Sequence, residues 1–511
     1  MKKLLMMIGA AAMLPLGVLA SASEPPSTLV DLTTNGSNPS GSVDDSSSDI
    51  YVSGYTATKA FDGIRVVEAD RNSRWLPRPT GDMWFIYAFN VPTVVDSIRI
   101  YLPISVSTDL KQAARAPKDW TFQGSNDKST WADLDTQTNE TGWTKGQSRY
   151  YKFSNTTAYK YYKFNCTANN GNSDCMQVDE IEFYCVGTGN SKWTGAGTTD
   201  LLSDVANWDG MMPGCEYDAY INITGSTPAV VPGGLTVYKS LSVANSKESN
   251  AKLVQTNGSV KASGNLYVGN LSNSYGEYTM TGGACSFNQI FIGYDSGGSG
   301  LYKMTGGTCA VTYSSSGSTP AMSVGRYGTG TLEISGAGTV LTAKTVRVGF
   351  TNSGKKGTGT LVVTNGGEIA TTQLYAGAGA SATNQATVTF NGGKLTATAA
   401  NAAFLKDFSN IQLETGGLTI DTQGYALGIN NCTFNVTGNG KITVVGGGTV
   451  TFTNVKVNMS AKPSGAYVFA ETDGTFSGVP TLDGIKGVKI ELSNDLKRVV
   501  VTSKGFIIAV F

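Results

Sequence analysis

A glycine-punctuated motif recurs through the middle of this 511-residue chain. Each copy is a short alternating apolar segment followed by a glycine turn, and the copies begin at Tyr278, Tyr302, Leu332, Leu361 and Val388. The first glycines of the turns are at positions 282, 306, 336, 366 and 392, so the repeat length is 24–30 residues. Self-similarity with a period of about 20–50 residues is typical of stacked repeat architectures.

A second apolar segment ending in glycine follows each full copy, as in Ile290–Gly293 and Val346–Gly349. One such unit cannot bury its own apolar face, whereas units stacked at the ~4.8 Å spacing of β-strands can. The pattern therefore predicts a right-handed parallel β-solenoid over residues 235–460, and a β-sandwich with many hairpins is the alternative. The side chains expected to face inward are Ile290, Ile292, Val346 and Val348.

The N-terminus has the form of an export signal. Lys2 and Lys3 precede an apolar run from Leu4 to Leu19, and the sequence 20–22 then reads Ala-Ser-Ala. This pattern predicts a Sec signal peptide over residues 1–22 and places the mature protein in the periplasm, at the cell surface or outside the cell. No later apolar segment reaches the ~18 residues that a membrane span needs, so no span is expected.

Composition restricts the function classes. Lysine plus arginine equals aspartate plus glutamate at 38 each, which gives no reason to expect nucleic acid as a partner. Histidine is absent, which excludes a Ser-His-Asp triad, a Cys-His pair and histidine-ligated metal sites. The acids of residues 245–400 are sparse, and Glu277 and Glu333 are expected on the outer face of the rungs. These acids are Glu248, Glu277, Asp295, Glu333 and Glu368.

Residues 28–186 lack the repeat and are rich in aromatic residues that alternate with polar ones, as in Trp84–Phe89 and Tyr159–Phe164. Several short strands with polar turns predict a β-sandwich. The large aromatic side chains in or beside the strands are expected to fill its core: Trp75, Trp84, Trp120 and Phe122. Trp131 is expected to pack under its own turn.

Six motifs occur in this segment in a fixed order: Ala60–Gly63, Arg74-Trp75, Ala116–Trp120, Gly124–Trp131, Tyr161–Phe164 and Val178–Tyr184. In this order they resemble the discoidin domain, the coagulation-factor type C module, and its bacterial carbohydrate-binding relatives. The resemblance implies an all-β, eight-stranded jelly-roll sandwich over residues 23–188. It also implies that loops at one end of the sandwich bind ligands, which in many bacterial relatives are sugars.

The same resemblance implies a structural calcium ion. Carried over to this chain, its carboxylate ligands are Asp62 and Glu180, with Asp70 as a further candidate. Two or three carboxylates with backbone carbonyls suit the six to eight oxygen ligands of calcium. This chain departs from the family by an insertion between Gly63 and Arg74. A turn aspartate and a surface glutamate without an ion are the alternative.

Sugar binding needs an aromatic platform beside planar hydrogen-bonding groups. Within the predicted loops, the candidates are Tyr55, Arg71, Asn72, Arg74 and Trp143. Trp143 stands between Gly142 and Thr144 and is expected to be exposed. No nucleic acid is expected as a partner, and the expected ligand is a glycan or a cell-surface polysaccharide.

A second resemblance begins after the sandwich. The sequence Trp193–Gly197, followed by Asn207-Trp208 and Pro213, is similar to the start of autotransporter-associated β-strand repeat proteins. It implies that residues 189–234 link the two parts and cap the first rung of the solenoid. No translocator barrel follows, so self-transport is not expected. Residues 461–511 alternate again and predict a β-rich cap at the other end.

Seven cysteines in an exported chain can form disulfides. Cys285 and Cys309 hold the same place in consecutive repeats, where they would either bridge or stack as a reduced pair. Cys166 and Cys175 flank an Asn-rich loop that a disulfide would close, and Cys185 and Cys215 bracket the linker. Spacing alone does not decide among these pairings.

Three functions remain open. The first is a non-catalytic, adhesive protein at the cell surface or outside the cell, whose discoidin-like module binds a glycan and whose solenoid is a stalk. The second is a polysaccharide-degrading β-helix enzyme with an attached carbohydrate-binding module. The third is a structural surface-coat protein. The absence of histidine and the sparse acids favour the first, and no catalytic residue is predicted.

Overall fold

The computed structural model describes residues 31–33, 41–64, 73–104, 111–155, 157–185, 188–202, 207–209, 216–223, 229–231, 235–237, 239–314, 319–352, 354–377, 385–461 and 463–503. The predicted signal peptide lies outside these residues, as do Asp70, Arg71, Asn72 and Cys215. Across the described part of the chain the helical elements are a 3-10 turn at Ala57–Phe61 and a short α-helix at Gln112–Arg115. Neither is long enough to cross a membrane.

The N-terminal part is a two-sheet β-sandwich, as the resemblance implies. Its strands are β1 (Gly41–Ser46), β2 (Met83–Thr93), β3 (Ser97–Tyr101), β4 (Pro117–Ser125), β5 (Ala132–Gln137), β6 (Ser148–Lys152), β7 (Tyr159–Asn169) and β8 (Glu180–Tyr184). The five-stranded sheet has the order β1-β2-β7-β4-β5, and the three-stranded sheet has the order β6-β3-β8. All of their pairings are antiparallel.

Aromatic rings fill the space between these two sheets. Trp75, Trp120 and Phe122 are buried in this core, as predicted. The prediction for Trp84 is wrong, because its neighbours Met83 and Phe85 point inward and strand alternation turns Trp84 outward. There it is half-buried, with the Lys163 Nζ 5.2 Å from its ring centroid.

The C-terminal part is a parallel β-solenoid of about 10 turns, as the glycine repeat predicts. Three sheets form its walls. The strands of sheet A are Thr188–Lys192, Glu216–Ile221, Leu241–Val243, Leu266–Val268, Ile290–Ile292, Met322–Val324, Thr345–Val348, Gln373–Ala376, Asn401–Lys406, Leu427–Asn430, Thr449–Thr453 and Thr475–Ser477.

Sheet B follows sheet A along the chain in each turn. Its strands are Ala229–Val231, Asn250–Gln255, Tyr275–Met280, Ser299–Met304, Thr329–Ser335, Lys355–Thr364, Ala386–Asn391, Ile411–Leu413, Thr433–Val436, Lys456–Met459 and Thr481–Asp483, with Phe350–Asn352 paired to its edge. The strands of sheet C are Leu235–Val237, Ser259–Ala262, Ala284–Phe287, Thr308–Val311, Val340–Ala343, Glu368–Thr371, Gly393–Ala397, Leu418–Asp421, Ile442–Val445, Tyr467–Thr472, Val488–Leu492 and Arg498–Ser503.

The five repeat copies stack in register. Tyr278, Tyr302, Leu332, Leu361 and Val388 are successive parallel partners in sheet B. Ile290, Ile292, Val346 and Val348 are fully buried in the solenoid core, which confirms the predicted inward face. Among the described residues from 235 onward, antiparallel pairing occurs at three places. These are the hairpin of Phe350–Asn352 with Lys355–Gly357, one bridge between Thr364 and Gly392, and the last two strands of sheet C.

The glycines that end the sheet A strands are required by both conformation and space. Gly293 has a φ of 64°, a conformation that side chains with a Cβ rarely adopt. A Cβ at this position would lie 2.3 Å from the carbonyl oxygen of Thr329 on a neighbouring rung. This double constraint explains why glycine recurs at this place in the repeat.

Two tryptophans lie at the start of the stack. Trp193 and Trp208 form an antiparallel bridge, and their buried rings meet edge to face at 5.4 Å. The Nε1 of Trp208 donates a hydrogen bond to the carbonyl of Leu202 at 3.0 Å. The first strand of sheet A, Thr188–Lys192, pairs in parallel with Glu216–Ile221, so the stack begins before residue 235.

Candidate functional site

Two segments run side by side at one end of the sandwich. Ile50 and Pro77 form an antiparallel bridge, the amide of Tyr51 donates to the carbonyl of Leu76 at 2.8 Å, and the amide of Leu76 donates to the carbonyl of Tyr55 at 3.0 Å. These bonds fix the backbone on both sides of the aromatic and basic side chains. The backbone pairing therefore places Tyr55 beside Arg74 and Tyr51 beside Arg78 without help from a ligand.

Tyr51, Tyr55, Arg74 and Arg78 form what we call the tyrosine–arginine patch. The Cζ of Arg74 is 5.3 Å from the centroid of the Tyr55 ring, and the Cζ of Arg78 is 5.0 Å from that of Tyr51. All four side chains are half-buried, so each keeps a surface for a ligand. The patch combines ring faces with planar guanidinium donors, which are the groups that recognise sugars.

Charged groups border the patch. The Nε of Arg78 is 3.5 Å from the Oδ1 of Asp49. The Nε of Arg74 is buried and has no hydrogen-bond partner within the described part of the chain. Burial raises the pKa of the Cys175 thiol, Asp174 adds to the rise, and the positive charges of Arg115, Arg74 and Arg78 oppose it.

The structure brings together two of the predicted sugar-binding residues, Tyr55 and Arg74. Arg71 and Asn72 lie outside the described residues, in the segment directly before Arg74. Tyr51 and Arg78 were missed by the sequence analysis, although each stands four residues from a predicted partner. The repeated four-residue spacing of tyrosine and arginine in the two segments was the available signal.

The predicted exposure of Trp143 is wrong. Its side chain is only 4% exposed, and its Nε1 donates a hydrogen bond to the carbonyl of Pro117 at 3.1 Å. The guanidinium of Arg149 covers the ring at 4.2 Å and pairs with Glu140 at 2.7 Å. Trp143 is therefore part of the sandwich core and does not present a platform for a sugar.

Trp131 packs as predicted on its own turn. Its Nε1 donates to the carbonyl of Lys128 at 3.1 Å, and the side chain stays half-buried.

The two carboxylates implied as calcium ligands lie together. Glu180 is 3% exposed, its Oε1 accepts a hydrogen bond from the amide of Gly63 at 3.3 Å, and its Oε2 has no partner among the described residues. Asp62 accepts hydrogen bonds from the amide of Ile64 at 3.1 Å and from the hydroxyl of Ser73. Glu180 is thus buried, contrary to the alternative of a surface glutamate.

The electrostatics of Glu180 are unusual for a glutamate. Burial, together with the negative charges of Asp62, Asp31 and Glu182, raises the pKa of Glu180 to about 9, against the opposing hydrogen bond from the Gly63 amide. A buried carboxylate that lacks a partner for one oxygen and has a second carboxylate nearby suits a hard cation. Within the described residues no group of three or more Asp, Glu, Cys or His side chains is positioned for a metal.

The cysteines are mostly unpaired. Cys166 and Cys175 are free, buried thiols, so the predicted disulfide across the Asn-rich loop is not formed. Cys285 and Cys309 are register partners in sheet C and are also free, which is the reduced, stacked arrangement. Cys185 is disulfide-bonded, and its predicted partner lies outside the described residues.

The acids on the solenoid strands pair with lysines on adjacent rungs. Lys252 is 3.0 Å from Glu277, Lys303 is 3.3 Å from Glu333, and Lys394 lies 3.6 Å from Glu368 and 3.1 Å from Asp421. Glu277 and Glu333 are half-buried on the outer face, as predicted. These contacts are ion pairs between neighbouring rungs of the solenoid.

Comparison with known proteins places the sandwich in a family. The model of the F5/8 type C domain matches residues 42–181. No curated protein matches the chain.

Several solved structures resemble the same part of the chain. Chitosan-binding module 1 of a chitosanase/glucanase from Paenibacillus sp. IK-5 is 21% identical with a TM-score of 0.22, and the match covers 30% of this chain and 98% of that one. The family 32 carbohydrate-binding module of Streptococcus pneumoniae EndoD is 11% identical with a TM-score of 0.25, over 30% and 99% of the two chains. The module CBM32-3, from a family 31 glycoside hydrolase of Clostridium perfringens, is 18% identical with a TM-score of 0.23, and the match covers 31% of this chain and 94% of that one.

The eight-stranded sandwich, the ordered motifs and the family match agree with one another. Residues 42–181 of this chain are an F5/8 type C domain, also called a discoidin domain.

Proposed function

We propose that this protein is exported, binds a glycan through the tyrosine–arginine patch of its discoidin domain, and uses the solenoid as a non-catalytic stalk. The observation that carries the proposal is the patch itself, in which half-exposed tyrosine rings lie against two guanidinium groups. Membership of the F5/8 type C family supports a ligand site in the loops at one end of the sandwich. The solenoid acids support a stalk, because Glu277, Glu333 and Glu368 each form an ion pair with a lysine on an adjacent rung.

The affinity of one such site should be modest. An aromatic ring stacked on a ligand contributes about 0.5–1.5 kcal/mol, and a hydrogen bond to a charged group contributes about 1.5–3 kcal/mol. Loss of one guanidinium donor should therefore weaken binding by about tenfold or more.

A glycan array probed with the whole exported chain tests the proposal. The parent should bind a defined set of glycans, and Arg74→Ala and Tyr55→Ala should lose that binding while melting at the temperature of the parent. Arg99→Ala is the matched control, because Arg99 also covers a tyrosine ring, that of Tyr101, at 4.6 Å but belongs to the three-stranded sheet. The glycan proposal is contradicted if the parent binds no glycan or if Arg74→Ala binds as well as the parent. The non-catalytic stalk is contradicted if the chain depolymerises a polysaccharide that it binds.

We also propose that Asp62 and Glu180 hold a structural calcium ion. The buried, unpartnered Oε2 of Glu180 supports this, since an unpaired carboxylate oxygen in the interior is costly. Bound calcium would supply that oxygen with a partner and would tie the loop of Asp62 to the first residue of β8. The glycan proposal does not depend on the ion.

Removal of calcium should lower the melting temperature of the discoidin domain, and its return should restore it. Glu180→Gln should abolish the response, because an uncharged amide is a poor ligand, whereas Asp133→Asn, a change on an exposed edge strand, should keep it.

Without calcium, Glu180 holds a proton more tightly in the folded protein, with a pKa of about 9, than in the unfolded chain, at about 4.3. Its contribution to stability is then present below pH 4 and is lost as the pH rises towards 9. Thermal unfolding with and without a chelator at pH 6 and pH 8 measures both effects, and equal melting temperatures with and without calcium would contradict the site.

A further inference from the structure

The outer face of sheet A carries a continuous column of side chains. The central residues of its strands are register partners from one rung to the next, and the residues on either side of them point into the core. The column consists of Tyr220, Ser242, Tyr267, Phe291, Ser323, Arg347 and Tyr375. Rungs stack about 4.8 Å apart, so this column lies along the solenoid axis.

Side chains from the loops that follow these strands lie over the middle of the column. The rings of Tyr267 and Phe291 are stacked at 5.4 Å, and the ring of Tyr294 meets both edge-on at 5.1 Å. Tyr327 and Phe350 lie 5.6 Å apart one or two rungs further along. Phe291 is buried beneath this layer, whereas the other four rings keep part of their surface in solvent.

Two arginines lie within the aromatic layer. The Cζ of Arg326 is 4.6 Å from the Tyr294 centroid and 5.2 Å from that of Tyr327. The Cζ of Arg347 is 3.9 Å from the Phe350 centroid, and its Nη2 donates to the hydroxyl of Ser323 at 3.1 Å. Arg347 is only 6% exposed, although it belongs to an outward-facing column.

Neither guanidinium has a counter-charge. No carboxylate of the described residues is paired with Arg326 or Arg347, and the Nε atoms of both are buried without a hydrogen-bond partner. Burial, together with the positive charge of Arg326, lowers the pKa of Arg347 to about 10, although Tyr375 and Tyr327 oppose the shift. Lys252, Lys303 and Lys394 on the other two sheets, in contrast, each lie within 4 Å of a carboxylate.

Cation–π contacts favour these arginines but do not neutralise them. A buried charge without a partner is costly, and the cost is removed when an anion supplies the missing acceptors. The groups available are tyrosine faces, which stack on sugar rings, and guanidinium forks, which match a carboxylate or a sulfate. A neutral glycan would leave the two positive charges without a counter-charge.

We propose that this face of the solenoid is a second ligand site, which binds an acidic polysaccharide along the solenoid axis. The exposed rings of Tyr267, Tyr294 and Tyr327 contact sugar rings, and the acid group of the polymer approaches Arg326. Arg347 lies beneath and adds positive charge to the site. This site is separate from the tyrosine–arginine patch of the discoidin domain and does not depend on it.

Affinity electrophoresis of the whole chain through gels containing polygalacturonate, dextran sulfate or uncharged dextran tests the proposal. At least one of the two anionic polymers should retard the parent, and dextran should not. Retardation by polygalacturonate alone identifies a carboxylate ligand, and retardation by dextran sulfate alone identifies a sulfate ligand. Arg326→Gln should weaken the retardation by about tenfold or more, because a charged hydrogen-bond donor is lost.

Arg498→Gln is the matched control, since it removes the same charge from an exposed position in sheet C. It should be retarded like the parent, and so should Arg74→Ala in the discoidin domain. Tyr327→Ala is a second variant in case Arg326→Gln does not fold. The melting temperatures of both variants are measured alongside that of the parent. The proposal is overturned if neither anionic polymer retards the parent, if dextran does so equally, or if Arg498→Gln weakens retardation as much as the folded Arg326→Gln or Tyr327→Ala variant does.

Discussion

Replacing Gly330 with valine is expected to destabilise the solenoid by about 3 kcal/mol or more. A Cβ at this position would lie 2.3 Å from the amide nitrogen of Gly325 and 2.5 Å from the carbonyl oxygen of Ile292. Both obstacles are backbone atoms of the sheet A strands, so no side-chain rotation relieves the clash. Gly330 stands in a register column with Gly300 and Gly359, and the rungs on both sides have the same restriction.

Chemical unfolding followed by circular dichroism measures this effect as a shift in the midpoint of the solenoid transition. Gly465→Val is the control, because a Cβ at Gly465 has no heavy atom within 4 Å and the residue is not in the left-handed region. An unchanged midpoint for Gly330→Val would mean that the rungs are not stacked as closely as the parallel register requires.

Trp143→Ala is expected to destabilise the discoidin domain by about 3–5 kcal/mol, the usual cost of removing a buried tryptophan. The substitution leaves a cavity beside Arg149, removes the hydrogen bond to the carbonyl of Pro117, and exposes the ion pair between Arg149 and Glu140. Thermal unfolding measures the loss. Trp131→Ala should cost clearly less, since that ring is half-buried on its own turn. If Trp143→Ala melts at the temperature of the parent, Trp143 is not a core residue, and its predicted role as an exposed binding residue would stand.

The solenoid could be predicted from the sequence because its signal is local and repeated. The motif copies at Tyr278 and Tyr302 are direct register partners, and the segment of Ile290 and Ile292 faces the core as its alternation indicates. Each of these features depends on a few neighbouring residues and a glycine. The direction of each side chain therefore follows from its place within the motif.

The predictions that are wrong concern side chains whose surroundings are formed by distant segments of the chain. Trp143 follows a glycine and precedes polar residues, which suggests exposure, but the carbonyl of Pro117 and the guanidinium of Arg149 enclose it. Trp84 lies in a strand, which suggests a place in the core, but its two neighbours occupy the inner face of β2. Size and local sequence do not show which side of a strand a residue occupies when the strand is apolar throughout.

The candidate sites were predictable only in part. The resemblance pairs Asp62 with Glu180, and the structure brings Glu180, the first residue of β8, against the loop of Asp62. Tyr51 and Arg78 join the tyrosine–arginine patch through backbone pairing between two distant segments, of which the four-residue spacing was the one local signal. Arg326 and Arg347 come together because turns of different lengths still leave the sheet A strands in register, which cannot be counted from the sequence.

A crystal structure of the chain soaked with an uncharged oligosaccharide selected on the glycan array tests the central claim most directly. The account predicts a sugar ring against Tyr51 or Tyr55, with hydroxyl groups within hydrogen-bond distance of the Arg74 or Arg78 guanidinium. An oligosaccharide bound at another surface of the molecule with the tyrosine–arginine patch empty would contradict glycan recognition by these loops.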